Sequence, residues 1–467
     1  MKVRRNSMVL AISLGMMLNP LNSSMIAVAI PSLQQAFGLS LTAVVWIVFA
    51  FYISGAIAQP IVGKSSDLIG RRRLFLLGLV IALVASLAAP FAPNFGTLVT
   101  MRIAQAIGTG MTSTVGLALI RFHVSDRREQ ALSMISSFQS GAAALGPFIG
   151  GVLIHWWGWS SIFYVNLPVM LVSLVMAWKL LPVEAPVQRT PMSVRNWLIQ
   201  IDGNGVLLFA AGLIILLGSL LSGKSSAHWS MLHIIGTMGG LLLLIALVRH
   251  EWKVDQPFIP LRTFAEFPAL SWINGGFMIA NILFYALFFG YPSYLQQVVQ
   301  LDSLHTGIIM LTLGLASVVG AALAGHGVRR YSSRVMLWLA AVLMFVGAGL
   351  LLTVQLQSPL WLSCGILLLF GLGSGLSNVA MQTDLMQETP ESVVGVVSGL
   401  FNMARNFGGI LASTLISIMA GSAFTADNFH ELTMVLIGLA VVYGAVLYGR
   451  QRMSNSARNR QGQHKSK

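Results

Sequence analysis

About fourteen long apolar segments recur along this chain of 467 residues, and they restrict its fold more than any other feature. Each approaches the ~20 apolar residues that an α-helix needs to cross a hydrocarbon core of ~30 Å. Charged residues make up only 9% of the chain and the mean hydropathy is +0.78, which excludes a soluble globular surface. The predicted fold class is an all-α polytopic membrane protein with 14 transmembrane helices, beginning near Met8, Thr42, Leu74, Phe95, Ala131, Ile162, Gly203, Leu232, Phe267, Thr306, Val335, Pro359, Val393 and Leu432.

The lysines and arginines predict how the chain is oriented in the membrane. An even number of helices places both termini on one side, and short cytoplasmic loops retain basic residues. All but three of the 28 lysines and arginines fall in the termini or in loops on the terminal side. The exceptions are Lys224, in a loop on the opposite side, and Arg102 and Arg405, within apolar segments. We therefore expect a multi-pass protein of the cell (inner/plasma) membrane with both termini cytoplasmic.

Several other classes of protein are disfavoured by the sequence. The net charge of +14 follows from this topology, so the basic tail at 451–467 is interpreted as an anchor, not as a nucleic-acid-binding arm. The single cysteine, Cys364, excludes an intramolecular disulfide framework and a cysteine-based metal cluster. The stretch Gly218 to Ser225 has the spacing Gly-x-x-x-x-Gly-Lys-Ser, but it ends a long apolar segment and does not join a strand to a helix, so direct drive by ATP is not expected. The sequence predicts no cofactor, no metal site and no nucleic-acid partner.

An internal repeat divides the predicted helices into two related groups. Ser140-Gly141, eight residues and Gly150-Gly151 recur as Ser398-Gly399, eight residues and Gly408-Gly409. Both copies lie in helices that follow a charged loop, which indicates two six-helix bundles with helices 7 and 8 inserted between them. We expect the first bundle at 1–185, the inserted pair at 186–255, the second bundle at 256–450 and the tail at 451–467.

A charged segment between the second and third apolar runs combines glycines, one aspartate and an arginine run, and includes Gly63, Asp67, Gly70, Arg71 and Arg72. The preference of cytoplasmic loops for basic residues explains the arginines, but it does not explain an aspartate in this loop. A charge cluster where two helices emerge can pair with a facing helix end in one conformation and release it in another. We interpret these residues as a conformational switch, with a solvated loop as the alternative.

At this segment the chain resembles the major facilitator superfamily, and five further stretches resemble its fourteen-helix drug:proton antiporter branch. These stretches are Leu21 to Pro31, Arg102 to Gly110, Gly146 to Pro168 (with the motif Gly146, Pro147, Gly150 and Gly151), Ile201 to Gly205, and Gly399 to Asn406. The resemblance implies the major facilitator fold, a cytoplasmic gate at 63–72 and an antiporter motif in helix 5. It further implies a monomer that exports hydrophobic drugs or toxic compounds by alternating access, driven by the proton motive force.

Four residues are predicted to line the pathway of substrate and protons. Arg102 is a permanent cation about seven residues inside helix 4, and inserting it costs at least ~2.5 kcal/mol unless it faces a cavity or a partner. Gln105 and Arg405 are also polar residues within predicted transmembrane helices, Gln105 in helix 4 and Arg405 in helix 13. The antiporters usually have an aspartate in helix 1 where this chain has Asn22, which cannot take up and release a proton. Proton coupling would then use Asp67, a carboxylate at the membrane rim, a histidine or the substrate.

The expected partners are a small hydrophobic substrate, protons and the lipid bilayer. Exporters of lipophilic cations generally need a buried negative charge, so this interior predicts neutral or anionic cargo in preference to dications. An uptake or exchange carrier for a specific metabolite shares the fold and most motifs, and stays open as an alternative. A polytopic membrane enzyme or sensor is a weaker alternative, because the nine histidines form no paired motif. We do not expect an enzyme.

Overall fold

The computed structural model describes residues 2–124, 128–182, 199, 201–225, 231–255, 257–259, 261–355, 358–389, 394–421 and 423–465. These residues are almost wholly helical and contain no strand. Within these described residues, fourteen helices are long and apolar enough to cross a membrane, which confirms the predicted fold class. They are α1 Lys2–Phe37, α2 Trp46–Ile69, α3 Arg71–Ala88, α4 Phe95–His123, α5 Arg128–Trp157, α6 Asn166–Leu180, α7 Gly203–Ser225, α8 Met231–Glu251, α9 Pro268–Gln297, α10 Ser303–Arg330, α11 Ser333–Leu351, α12 Leu360–Glu388, α13 Val394–Ala420 and α14 Ala426–Lys465.

The helix pairings repeat with an offset of eight helices. In the first bundle α1 packs against α5 and α6, α2 against α4, and α3 against α4; in the second, α9 packs against α13 and α14, α10 against α12, and α11 against α12. The inserted helices α7 and α8 pack mainly against each other, and α7 also contacts α2 and α13. The protein is therefore two related six-helix bundles with one inserted pair. The predicted boundary at 185 lies outside the described residues.

The two ends of the helices define two faces of the protein. We call the face that carries the start of α1 and the end of α14 the terminal face, and the opposite one the distal face. Short turns and polar caps shape both faces: Asn94 accepts a hydrogen bond from the amide of Thr97 at 2.9 Å as α4 begins. At the terminal face Gly70, with φ of +104°, allows the abrupt change of direction between α2 and α3.

The bundles contact each other from mid-membrane to the distal face. Helix α5 packs along α10, α2 along α13, and α1 along α9. At the distal ends Thr42 donates to the carbonyl of Gly421 at 2.7 Å, and Gln297 donates to the side chain of Gln34 at 2.6 Å. These contacts close the distal side of the protein in this conformation.

Candidate functional site

Five polar side chains from four helices meet inside the first bundle, and we call them the buried polar cluster. They are at most 3% exposed. Helix α4 supplies Arg102 and Gln105, which share a helix face because they are three residues apart. Arg102 Nη1 donates to Gln105 Oε1 at 2.5 Å, and Gln105 Nε2 donates to Asn22 Oδ1 at 2.9 Å. Ser86 of α3 and Asn166 of α6 complete the cluster. The structure thus brings three of the four predicted pathway residues together.

Asn22 is at the centre of this cluster. Its Oδ1 accepts hydrogen bonds from Gln105 Nε2 and from Asn166 Nδ2, the latter at 2.8 Å. Its Nδ2 donates to the carbonyl of Leu18 at 2.8 Å, one turn earlier in α1. An asparagine satisfies this arrangement without a charge, because the carboxamide both accepts and donates. The cluster consequently carries a single formal charge, that of Arg102.

Arg102 has hydrogen-bonding capacity that the protein leaves unused. The residue is 1% exposed, and its Nε and Nη2 atoms are buried without a hydrogen-bond partner. Its guanidinium carbon lies 4.5 Å from the centre of the Phe51 ring, a cation–π contact that offsets only part of the cost of burial. Buried donors of a charged group are costly to leave unpaired, so this arginine is suited to an acceptor that arrives with a ligand.

The aromatic residues beside the cluster connect the two bundles. Tyr52 follows Phe51 in α2, and its ring centre lies 5.5 Å from that of Tyr285 in α9. Gly409 of α13 leaves room for Tyr52, since a Cβ at Gly409 would lie 3.0 Å from the Tyr52 ring. Phe51 and Tyr52 are not among the residues predicted from the sequence, because aromatic residues in an apolar helix carry no distinguishing signal.

Arg405 lies in the second bundle, apart from the buried polar cluster. It is half-buried in α13, one turn before Gly409 and therefore about 6 Å nearer the terminal face than the contact with Tyr52. Its guanidinium carbon is 5.6 Å from the centre of the Phe277 ring, and its Nε is buried without a hydrogen-bond partner. Phe277 in turn stacks on Phe401 at 3.7 Å. Arg102 and Arg405, the two arginines that lie within apolar segments, thus each rest against an aromatic ring, one in each bundle.

The four residues of the helix-5 motif face two different neighbours. A Cβ at Gly150 would lie 3.1 Å from the carbonyl oxygen of Met25, so Gly150 lets α1 approach within the same bundle. Gly146, four residues earlier, faces the side chain of Ser24 in the same way.

Pro147 and Gly151 form the other face of this motif and meet the second bundle. A Cβ at Gly307 of α10 would lie 2.7 Å from the carbonyl oxygen of Pro147, and one at Gly151 would lie 3.1 Å from the Cα of Gly307. Small residues here allow backbone-to-backbone packing of α5 against α10.

The predicted switch residues make their described contacts within the first bundle. The Arg71 guanidinium carbon lies 3.6 Å from the centre of the Phe122 ring in α4. Arg72 Nη2 donates to the carbonyl of Trp178 in α6 at 2.6 Å. Gly63 faces Thr114 of α4, where a Cβ would make an ordinary contact at 3.6 Å. The side chain of Asp67 lies outside the described part of the structure. In this conformation the arginines tie α3 to its own bundle.

Three carboxylates at the terminal face are engaged in fixed contacts. Asp384 of α12 forms an ion pair with Arg450 of α14. Asp202, which precedes α7, lies 2.7 Å from Nε2 of His250 through Oδ1 and accepts from the amide of Phe258 at 3.1 Å through Oδ2. Glu251 is fully buried and accepts from the amide of Ile259 at 3.1 Å. Asp202 and Glu251 thus tie the inserted pair to the segment that leads into α9.

A carboxylate at the distal face joins the bundles. Asp302 caps α10, and its carboxylate lies 3.6 Å from His155 Nδ1 at the end of α5. The amide of His305 donates to Asp302 at 2.8 Å. This hydrogen bond lowers the pKa of the Asp302 carboxyl below its ordinary value, and the side chains of His305 and His155 act in the same direction. The contact between Asp302 and His155 lies beside the packing of Gly151 against Gly307. It is therefore a further contact, one that involves a charged group, between the bundles at the distal face.

Comparisons of the sequence and of the structure with known proteins both find membrane transporters. The sequence profile of the Major Facilitator Superfamily matches residues 12–413. The uncharacterized MFS-type transporter YwoD of Bacillus subtilis is 41% identical over 91% of this chain and 93% of its own length. The tetracenomycin C resistance and export protein of Streptomyces glaucescens is 26% identical over 92% of this chain and 79% of its own. The crystal structure of a D-xylose-proton symporter superposes with a TM-score of 0.64 at 14% identity, covering 95% of this chain and 97% of that one.

Proposed function

The chain belongs to the Major Facilitator Superfamily and is a multi-pass membrane transporter, not an enzyme, and from that premise we propose that it exports hydrophobic toxic compounds by alternating access. The proton motive force is the proposed source of energy. The terminal face is proposed to be cytoplasmic, and the transporter to act as a monomer. A relative that is 26% identical to this chain is named for tetracenomycin C resistance and export, which supports this direction of transport.

The observation that carries the proposal is the backbone packing of Pro147 and Gly151 against Gly307. A contact between bare backbones has no side chains that must be disentangled, so the two bundles can separate there as rigid bodies. With the distal side closed by this contact, the cargo would enter from the terminal face. Opening of the same contact would then release the cargo at the distal face.

The proposed pathway runs between the two bundles, past Tyr52. On the side of the first bundle, Arg102 has two hydrogen-bond donors without a partner. On the side of the second bundle, the half-buried Arg405 has one such donor. Cations in the membrane interior normally face a cavity, a partner or a substrate path. Two arginines on either side of an aromatic contact favour neutral or anionic amphiphiles over dications. Substrate preference therefore provides a direct test of this part of the proposal.

Efflux from preloaded cells tests the function. Cells expressing the wild type, Arg102→Gln, Arg121→Gln or an empty vector are loaded with an anionic lipophilic dye, and efflux is followed with and without a protonophore. Arg121→Gln is the matched control, since this arginine is exposed in the last turn of the same helix. We expect fast efflux by the wild type and by Arg121→Gln, and loss of efflux with Arg102→Gln or with protonophore.

Two results would contradict the proposal. Efflux equal to the empty vector across anionic, neutral and cationic dyes, with verified membrane expression, would favour a carrier for a specific metabolite. Equal transport of dicationic and neutral cargo by the purified protein would refute the cargo preference alone.

A further inference from the structure

The outward face of α8 carries a groove that the transport pathway does not explain. The groove has a volume of about 310 Å³ and is lined by residues three or four apart, Leu242, Ile245, Ala246, Arg249, His250 and Lys253. This spacing places the first five on one face of the helix, and Lys253 lies in the turn that follows its end. Helix α8 packs mainly on α7, so this face is turned away from both bundles.

The chemistry of the groove changes along its length. Leu242 and Ile245 are 60% and 49% exposed, as expected of side chains that meet lipid. Arg249 and Lys253 follow towards the terminal face and are also exposed. From Leu242 to its end at Glu251 the helix rises about 14 Å, close to half of the ~30 Å hydrocarbon core, and Lys253 follows in the next turn. The groove thus has the length of one lipid leaflet, with its cations at the headgroup end.

Two of the three acidic groups near the positive end of the groove are buried. Glu251 is fully buried, and Asp202, 5% exposed, lies 2.7 Å from Nε2 of His250. Asp255, beyond Lys253, is exposed. Trp252 is 47% exposed at the same level, where indole rings mark the interface of membrane and water.

From these observations we propose that the groove is a binding site for an anionic phospholipid, with the headgroup at Arg249 and Lys253 and an acyl chain along Leu242 to Ala246. Basic pockets at the membrane rim attract anionic headgroups, and the apolar stripe extends directly below the cations. His250 connects this place to Asp202, which holds the segment leading into α9. The lipid would therefore be seated on the junction between the inserted pair and the second bundle.

Native mass spectrometry of the purified protein tests this site. Phosphatidylglycerol or phosphatidylcholine is added in equal amounts, and retained lipid is counted for the wild type, for R249Q/K253Q, for A246F and for R329Q/R330Q. A246F fills the groove and keeps its charges. R329Q/R330Q removes the same charge from the end of α10, where both arginines are exposed at the terminal face.

We expect the wild type to retain phosphatidylglycerol in preference to phosphatidylcholine. R249Q/K253Q and A246F should each retain at least fivefold less phosphatidylglycerol than the wild type. The amount retained by R329Q/R330Q should stay within twofold of the wild-type amount. Equal retention of the two lipids, or equal losses in the groove and control variants, would overturn the proposal, since the basic surface would then act without a defined site. Because the readout is bound lipid, the result is independent of whether the proposed export is correct.

Discussion

Substitution of Gly151 by alanine tests whether the packing of α5 against α10 sets the conformation of this transporter. The new Cβ would lie 3.1 Å from the Cα of Gly307 and closer still to the carbonyl oxygen of Ser303. Both neighbours are backbone atoms, so no side chain can rotate away, and the helices must move apart. Overpacking of this kind costs about 1–3 kcal/mol.

The cost falls on the distal-closed conformation alone, because the contact is absent once the bundles separate. A differential free energy of about 1–3 kcal/mol changes the ratio of two states by roughly 5- to 150-fold. We therefore expect the population of the distal-open conformation to rise by a factor in this range. The fold should be unaffected, since each bundle keeps its own core.

The matched control is Gly141→Ala, ten residues earlier in the same helix. A Cβ at Gly141 meets nothing within 4 Å, so this variant has the same change in helix propensity without the collision. The reporter is Phe289→Cys in a Cys364→Ser background. Phe289 is 2% exposed, and its ring contacts Tyr52 across the bundles, so a cysteine there becomes reactive only when they separate.

The assay is the rate of labelling by a membrane-impermeant maleimide from the distal side. Where opening is fast relative to labelling, this rate is proportional to the open population. Labelling should be at least fivefold faster in Gly151→Ala than in Gly141→Ala. A Gly151→Ala rate within twofold of that control, or an equal increase in both variants, would refute the reasoning.

Three further outcomes follow from the described contacts. Asn22→Asp should fold with reduced stability, because the two donors to Oδ1 suit a carboxylate but the hydrogen bond to Leu18 is lost, and it should extend efflux to cationic dyes; unchanged cargo selectivity in proteoliposomes would contradict this. Arg102→Lys should transport less than a tenth as fast as the wild type, since an ammonium cannot replace the fork-shaped guanidinium; wild-type efflux rates would argue for a plain charge requirement. For Asp302, whose pKa is lowered in the folded protein, the carboxylate stabilises the fold above its ordinary pKa, and this contribution disappears as pH falls through the lowered value. The melting temperatures of the wild type and Asp302→Asn, measured from pH 7 down to pH 2, should therefore converge only at the acid end, whereas a constant difference would exclude titration of this group as the cause.

The fold was predictable because hydropathy and helix length are local properties. Fourteen apolar segments correspond to fourteen helices, although several helices extend beyond the apolar part. Helix α1 begins at Lys2 rather than near Met8, and α5 at Arg128 rather than near Ala131. A helix continues through polar residues outside the hydrocarbon core, where hydropathy carries no signal. The orientation of the chain was likewise predicted from a local property, the positions of the basic residues in the loops.

The site was predictable only in part, because its contacts connect distant segments. The pairing of Arg102 with Gln105 follows from their spacing in one helix. The contacts of Asn22 with Gln105 and with Asn166 join residues 83 and 144 positions apart, and only the packed bundle creates them. The glycine motif of α5 shows the same limit, since the sequence indicates close packing but cannot tell which glycines face α1 and which face α10.

The neutral centre of the buried polar cluster bears on how transport would be coupled to protons. With Asn22 in place of an acid, the cluster around Arg102 cannot itself exchange a proton, and the described carboxylates Asp202 and Asp384 are held in fixed contacts at the terminal face. Arg102 nevertheless leaves two donors unused, which an anionic group of the cargo can satisfy. Under the proposed function, cargo protonation would then weaken this interaction, because the arginine would lose a charged acceptor. The substrate itself would thus provide the titratable group that the buried polar cluster lacks, and the cargo's own pKa would set the pH dependence of export.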